Sequence, residues 1–575
     1  MATTTPRPHQ PPADARLLSG AARHSAARCA ALALCAVAGA GVGLLLPLAI
    51  GRALDAVLTG HVTGHDGGDT TRWILACAAL VGASALLDAV DGVLTGTTNA
   101  RATAWLRGRV TRHVLGVGPR ATARFAHGDL VARLIDNAAH AGIAPATFAS
   151  LVAALVMPVG AVVALALIDV WLAAVFLVGG PLLALLLRTF VRVSSDCVAR
   201  YQRVQGDIAG RLGEAIGGAR TIAAAHTEEK ESARVLHALP ELARQGHRMW
   251  RVQARSQAQA VAIAPLLQIS VAAVAGALLL RHRITVGDLL AASRYAVLAT
   301  GIGMLVGQLG GLVRARAAAR RLEEVLTEPV ATYGEEELPA QGGLLELRGV
   351  KADRGGRTVL DGVDLTVPAG STLAVVGRSG AGKSLLASLA GRLADPDEGD
   401  VRLDGVPLRA LGREELRREV GYAFERPALL GATLADTIGF GAPRPAPSRI
   451  EEAARAARAD TFITRLPDGY ATPCGEAPLS GGEAQRLGLA RAFARGGRLL
   501  ILDDAMSSLD TVTEHHIAEA LLTHTPRRSR LIIAHRAATA ARADAVAWLH
   551  EGRIRAVGTH AELWQRREYR EVFDA

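Results

Sequence analysis

Val375-Val376-Gly377-Arg378-Ser379-Gly380-Ala381-Gly382-Lys383-Ser384 decides the reading of this chain, because an apolar strand pattern passes straight into a Gly-rich turn and then a helix pattern. Glycines let backbone N–H groups from Gly377 to Ser384 converge on phosphate oxygens, and a helix N-terminus adds partial positive charge. Lys383 is placed to reach the outer phosphates and Ser384 to hold Mg²⁺. A coincidental Gly-rich turn is the bland alternative. Composition argues against it, since 64 Lys and Arg residues include only Lys230, Lys351 and Lys383 as lysines.

Working downstream, Leu499-Leu500-Ile501-Leu502-Asp503 reads as a buried strand ending in a carboxylate that orients Mg²⁺ beside the phosphate loop. Asp504 follows it. Ser508-Leu509-Asp510 and the strand end Ile532-Ile533-Ala534-His535 complete the order, with His535 placed for a γ-phosphate contact. Between loop and strand lies Leu479-Ser480-Gly481-Gly482-Glu483, whose Ser hydroxyl and Gly N–H groups are suited to cradle a γ-phosphate as oriented donors. Strand patterns at Leu344 to Val350 and Ser371 to Val376, alternating afterwards with helix patterns, predict an α/β domain around a mostly parallel sheet.

Upstream the composition changes. The chain has 575 residues, 50% hydrophobic and only 21% charged, so more than one domain is needed and the apolar content is high for a soluble protein. Runs at Cys29 to Ile50, Trp73 to Leu87, Ala149 to Ile168, Trp171 to Leu187, Ala258 to Leu280 and Leu289 to Val313 approach or exceed the ~20 residues that a helix needs to cross a bilayer. They predict a six-helix, all-α transmembrane domain. Arg16, Arg23 and Arg28 before the first run, and arginine-dense segments 101–143 and 188–255, mark the cytoplasmic side, while Asp55 to Thr71 carries no Lys or Arg. Arg281-His282-Arg283 is an exception to that rule.

The expected organisation is a mobile tail over 1–22, a transmembrane domain with cytoplasmic helical extensions over 23–326, a linker over 327–343 with Pro329, Pro339 and Glu335-Glu336-Glu337, and a nucleotide-binding domain over 344–575. The net charge of +10 is accounted for by membrane-proximal arginines meeting anionic lipid, and no nucleic-acid partner is expected. Cys29, Cys35, Cys77, Cys197 and Cys474 form no Cys-x-x-Cys pair, so neither a disulfide framework nor a cysteine metal site is implied.

These motifs, in this order, resemble the nucleotide-binding domain of an ABC transporter over residues 344–575, and the apolar segment resembles the exporter-type transmembrane domain. Pro47 to Leu58, Gly128-Asp129-Leu130 with Arg133-Leu134, Glu214 to Ile222, and Thr285 to Leu289 carry the second resemblance. The resemblance implies a working unit of two chains in a lipid bilayer, with ATP and Mg²⁺ held between one chain's phosphate loop and the other's Leu479-to-Glu483 signature. Closure of the ATP domains on binding would then turn the spans outward.

The departures from that pattern are informative. Where the family has a glutamate polarising the attacking water, this chain has Asp504; the carboxylate is set back by roughly 1 Å, and misplacement on that scale can cost ~10²-fold in rate. The glutamine expected at the Mg²⁺-contacting loop is Glu425, the adenine-stacking aromatic aligns with Arg354, and the signature ends in Glu483. The stretch Gly475-Glu476-Ala477-Pro478 is shorter than usual. The resemblance therefore predicts a degenerate-site half of a paired exporter, similar to actinobacterial pairs that export modified peptides and other small molecules. Two further readings stay open: a regulatory subunit that binds ATP without hydrolysing it, and a siderophore importer on the exporter fold. Asp88, Asp91 and Arg294 are charged residues in or beside the apolar runs, either on a translocation path or in water beyond the bilayer.

Overall fold

The computed structural model describes residues 13–63, 67–300, 302–340, 342–441, 443–524 and 528–574. They form two compact units, residues up to Leu115 with Phe125–Glu328, and Gly116–Arg124 with Pro329 onward.

The first unit is all-helical. Its helices are α1 (Ala13–His24), α2 (Ala26–Thr63) and α3 (Gly67–Val117); after α4 (Pro119–Arg124), which belongs to the second unit, come α5 (His127–Ala132), a π turn over Arg133–Asn137, α6 (Ala138–Gly142), α7 (Ala144–Ile168), α8 (Val170–Gly217), α9 (Ala219–Ala225), α10 (Glu228–Leu236), α11 (Leu239–Leu280), α12 (Val286–Ala299) and α13 (Ile302–Leu326). Among the described residues three helical segments are long and apolar enough to cross a membrane, Ala26–Thr59, Asp69–Val117 and His127–Ile168, with shorter apolar helices at Val170–Gly179 and Pro265–Leu280. The six apolar runs fall on α2, α3, α7, α8, α11 and the α12–α13 pair.

Asp88 and Asp91 lie inside the continuous α3. Two expectations are corrected here. The sixth run is divided: α12 ends at Ala299, and the Thr300 N–H caps back onto Ala296 and Val297. The sequence there is Thr300-Gly301-Ile302-Gly303, poor in helix formers, and residue 301 lies outside the described residues. The segment expected to be a mobile tail is helical from Ala13, and Leu17 is buried with Leu106, Val110 and Leu322. Its apolar stripe finds a partner, which ordering a terminus requires. Residues 1–12 of that segment lie outside the described residues.

Charge placement explains the exception to the orientation rule. The chain between α7 and α8 is extended at Asp169, whose carboxylate caps α8 by accepting the Trp171 N–H at 3.0 Å. The same buried carboxylate holds the Arg283 guanidinium at 2.9 Å, so one of the two arginines in the offending turn is neutralised locally. Nearby, α2 and α12 cross backbone to backbone: a Cβ on Gly51 would lie 2.6 Å from the Gly287 carbonyl oxygen. Asp55 seals the crossing by accepting the Thr285 hydroxyl at 2.7 Å and the Gly287 N–H at 2.8 Å.

The second unit holds two sheets. The antiparallel one has order β2-β1-β4-β5, from β1 (Leu345–Arg354), β2 (Arg357–Val367), β4 (Glu398–Leu403) and β5 (Val406–Pro407). The other has order β10-β9-β3-β8-β7-β6, from β3 (Thr372–Val376), β6 (Val420–Phe424), β7 (Leu499–Asp503), β8 (Ser529–Ile533), β9 (Ala545–His550) and β10 (Arg553–Gly558). All neighbours in it are parallel except the β10–β9 edge pair. β3 and β8 are buried along their whole length and β7 up to Asp503, as central strands covered on both faces should be. Helices α14 (Lys383–Ala390) and α15 (Arg413–Glu419) flank the core; α16 (Leu434–Ile438), α17 (Pro447–Ala456), α18 (Asp460–Ile463) and α19 (Gly481–Ala494) form a helical subdomain around Ile438, Ile450, Leu487 and Phe493, with α20 (Thr511–His524) following β7.

Candidate functional site: a phosphate cradle and a helix-capped signature

Parallel strands β3, β7 and β8 deliver the site residues from their carboxyl ends, where an α/β sheet opens its ligand crevice. The turn after β3 needs its glycines. Gly380 and Gly382 have φ of 81° and 100°, and a Cβ on Gly382 would lie 2.8 Å from Leu360 Cδ2; one on Gly377 would lie 2.3 Å from the Leu549 carbonyl oxygen. Lys383 begins α14 and is 6% exposed. Its ammonium donates to the Gly377 and Arg378 carbonyls at 2.7 and 3.1 Å. Burial lowers its pKa, while Asp504 and Asp503 act in the opposite direction. Arg378 and Ser379 stand on the exposed rim with Gly380, and Ala381 is half-buried behind them.

At the end of β7, Asp503 accepts a hydrogen bond from the Tyr422 hydroxyl at 3.3 Å, and the Ser384 hydroxyl lies close enough to favour its ionised form. Desolvation raises its pKa, and Glu425 adds to the rise. Its Oδ1 is buried and has no hydrogen-bond partner in the structure. A hard cation at that orphaned oxygen, with the Ser384 hydroxyl alongside and the half-exposed Glu425 within electrostatic reach, suits the donor set, so these residues fit Mg²⁺.

Asp504 adopts a left-handed conformation, φ 53°, which tilts its side chain out of the strand line. Its Oδ2 lies 3.5 Å from His535 Nε2, two residues past the end of β8. Desolvation raises its pKa, His535 opposes that, and Glu425 and Asp503 reinforce it. Beside this pair a cavity of about 290 Å³ is lined by Asp504, Ser507, Glu514, His535 and Arg536, among others. The structure thus brings Lys383, Ser384, Asp503, Asp504, Glu425 and His535 together.

Arg354 is placed differently. It closes the β1–β2 hairpin, donates to the Asp353 carbonyl at 2.6 Å, and sits 3.7 Å from Asp397. Its guanidinium lies between partners of its own, so stacking on a base would require it to leave Asp397.

The signature forms the start of α19. Ser480 is the N-cap, and a reciprocal box joins it to Glu483: the Glu483 N–H reaches Ser480 Oγ at 3.3 Å, and Glu483 Oε2 accepts the Ser480 N–H and hydroxyl, each at 2.8 Å. Those bonds from Ser480 hold the Glu483 carboxyl below its ordinary range. Gly481 is exposed, and a Cβ on Gly482 would press on the Ser508 carbonyl oxygen at 3.2 Å. Asp510 caps α20 through the Thr513 N–H at 2.9 Å, which keeps its carboxyl low. Among the described residues, no hydrogen bond or ion pair joins Gly377–Ser384 to Leu479–Glu483.

Two contributors escaped the sequence reading. Tyr422 holds Asp503 from β6. Gln485 is 2% exposed, and its amide donates to the Glu425 carbonyl at 2.8 Å and the Ser507 hydroxyl at 3.1 Å while accepting the Ser508 N–H at 3.0 Å. It ties the Glu425 loop to the segment before Asp510. A polar residue in the otherwise apolar face of α19 was the available signal.

Comparison with known proteins agrees with this geometry. Residues 30–302 match the family model for the ABC transporter transmembrane region, and residues 360–507 match that for ABC transporter. The chain is 52% identical over 543 residues to the ABC transporter ATP-binding protein RamA of Streptomyces coelicolor, covering 94% of this chain and 84% of that protein. It is 33% identical over 402 residues to the ATP-dependent lipid A-core flippase of Chromohalobacter salexigens, covering 68% of each. A bacterial Atm1-family ABC exporter with ATP bound has the same fold, with a TM-score of 0.79 over 96% of this chain and 98% of that one, at 23% identity.

Proposed function

The chain belongs to the ABC transporter family, as an exporter-type half-transporter with its membrane region and ATPase in one polypeptide, and from that premise we propose that it is one half of a heterodimer whose own phosphate loop binds ATP but hydrolyses it weakly. ATP-driven transport by a multi-pass membrane protein is the family's activity. The exported cargo is proposed to be a small molecule or modified peptide. The proposed domain limits are 13–326 for the membrane domain, which takes in α1, 327–343 for the linker and 344–575 for the ATPase.

In this reading Lys383 leaves the Gly377 and Arg378 carbonyls for the outer phosphates, and the N–H groups of Gly377 to Ser384 hold the chain of phosphate oxygens. Ser384 and Asp503, with Glu425, would hold Mg²⁺, which supplies charge neutralisation at the transferring phosphoryl group. Asp504 is the general base for the attacking water and His535 orients it and the γ-phosphate. Ser480, Gly481 and Gly482 serve the nucleotide held by the partner.

One observation carries the weak-site reading: the base is a short aspartate, held beside His535 at 3.5 Å and surrounded by Asp503 and Glu425. A carboxylate set back from water polarises that water poorly, and the neighbouring Asp503 and Glu425 charges oppose the approach of a triphosphate. The partner's site, completed by this chain's signature, would carry most of the turnover. Coupling to the membrane is proposed to run through α4: Gly116–Arg124 belongs to the ATPase-containing unit, and Arg120 lies 3.5 Å from Asp395.

The test is substitution in the assembled pair. Asp504→Asn is expected to leave most of the turnover and transport, whereas Lys383→Ala is expected to abolish transport. Loss of turnover with Asp504→Asn would refute the weak-site reading. A purely regulatory ATP-binding role for this chain predicts no change at all with Asp504→Asn, and single-turnover hydrolysis at this chain's own site separates the two.

A further inference from the structure

The signature that is meant to greet a partner's nucleotide is already engaged with itself. A serine hydroxyl has one proton, and the 2.8 Å contact from Ser480 Oγ to Glu483 Oε2 uses it, because an ionised carboxylate only accepts. The N–H of Glu483 occupies a lone pair of the same oxygen at 3.3 Å. An approaching triphosphate therefore meets an acceptor oxygen and a negative charge where it needs a donor. The nearest counter-charge is Arg486, whose guanidinium is 3.8 Å from Glu483 but also donates to the Arg458 carbonyl at 2.8 Å and lies over the Phe462 ring. Its charge is shared, and Glu483 is not cancelled.

We propose that Glu483 is a positioning residue that withholds the Ser480 hydroxyl, so that the signature engages a nucleotide only when a γ-phosphate displaces the carboxylate as acceptor. This rests on the reading that Ser480 meets the nucleotide held by the partner chain. The trade is between two charge-assisted hydrogen bonds to the same proton, which makes the engagement close to balanced and dependent on the terminal phosphate. Ser480 is exposed, so the hydroxyl is free to rotate toward the incoming oxygen. The backbone half of the box, Ser480 N–H to Glu483, remains when it does, and α19 stays capped.

Three substitutions in the full-length chain, assembled with its partner in lipid nanodiscs, test the proposal by the split between KM for ATP and kcat. Glu483→Gln keeps a box-competent acceptor without the charge, and it is expected to lower KM roughly tenfold, the scale of one charge-assisted hydrogen bond no longer contested, with a smaller change in kcat. Glu483→Asp keeps the charge and is expected to stay on the high-KM side. An unchanged or raised KM in Glu483→Gln overturns the proposal. Ser480→Ala separates it from its premise: if that change leaves KM and kcat untouched, Ser480 does not meet the nucleotide, and the premise fails before Glu483 is considered.

Discussion

The phosphate loop and the signature, two half-sites on one chain, are prepared for nucleotide in opposite ways. Around the loop the charges are unsettled: Asp503 and Asp504 are raised by burial, Asp503 Oδ1 has no partner, and Lys383 is lowered and parked on its own loop's carbonyls. Around the signature the charges are settled: Glu483 is held low by Ser480, and Asp510 is held low by the cap of α20. Groups in the first region gain partners when a cation and a triphosphate arrive. Groups in the second must give a partner up. Binding free energy at this chain's own loop is thus built in as unfilled interactions, while its service to the neighbouring site begins from a satisfied state.

The comparison breaks most completely if the unsettled half does not need its lysine. Lys383→Ala is expected to reduce ATP affinity at this chain's own loop by two orders of magnitude or more (on the order of 10²-fold), measured with a photo-crosslinking nucleotide that reports labelling of each chain separately. Unchanged labelling of this chain would mean that the loop is not the binding element.

The next effect sharpens the claim that the acid is too short. Asp504→Glu is expected to raise hydrolysis at this chain's own site by up to ~10²-fold, read as single-turnover phosphate release with the partner's site inactivated. No gain would point to the surrounding negative charge, and not to reach, as the limit. Glu425→Gln in the same background then distinguishes the two.

A smaller effect concerns the backbone. Gly382→Ala adds a Cβ at φ 100° and 2.8 Å from Leu360 Cδ2, and is expected to cost about 1–3 kcal/mol of stability, with nucleotide no longer raising Tm. The smallest is electrostatic. Because the folded pKa values of Asp503 and Asp504 lie above the ordinary 3.8, their protonated forms favour the fold in full below that pH, and that contribution is lost as pH rises through the folded values. At neutral pH each ionised carboxylate opposes folding of the nucleotide-free protein. Asp503→Asn is therefore expected to raise its Tm at pH 7, by on the order of 1 kcal/mol or less in stability, with the gain vanishing below about pH 3.8. A gain that persists in acid would assign it to packing.

Much of this organisation was legible in the chain. The strand-to-helix passage at Gly377–Ser384, the apolar strand ending at Asp503 and the order of signature and His535 have local signals strong enough to place a parallel sheet and its crevice. What was not legible involves partners distant in sequence. Tyr422 reaches Asp503 across 81 positions and Gln485 reaches Glu425 across 60, and no periodicity announces such contacts. Asp169 neutralises Arg283 across more than a hundred positions, and nothing local in the sequence marks that pairing. The Ser480–Glu483 box had the capping pattern in plain view, yet the residue was read for its departure from a neutral side chain and not for what its carboxylate does to the serine.

The central claim, that this chain contributes one weak and one strong half-site to a two-chain exporter, is tested most directly by steady-state ATPase activity of the full-length chain in nanodiscs, alone and co-assembled with a neighbouring half-transporter that carries a glutamate after its Mg²⁺-orienting aspartate. The account predicts little turnover from this chain alone and full, cargo-responsive turnover from the pair. Equal, full activity from this chain alone would contradict it.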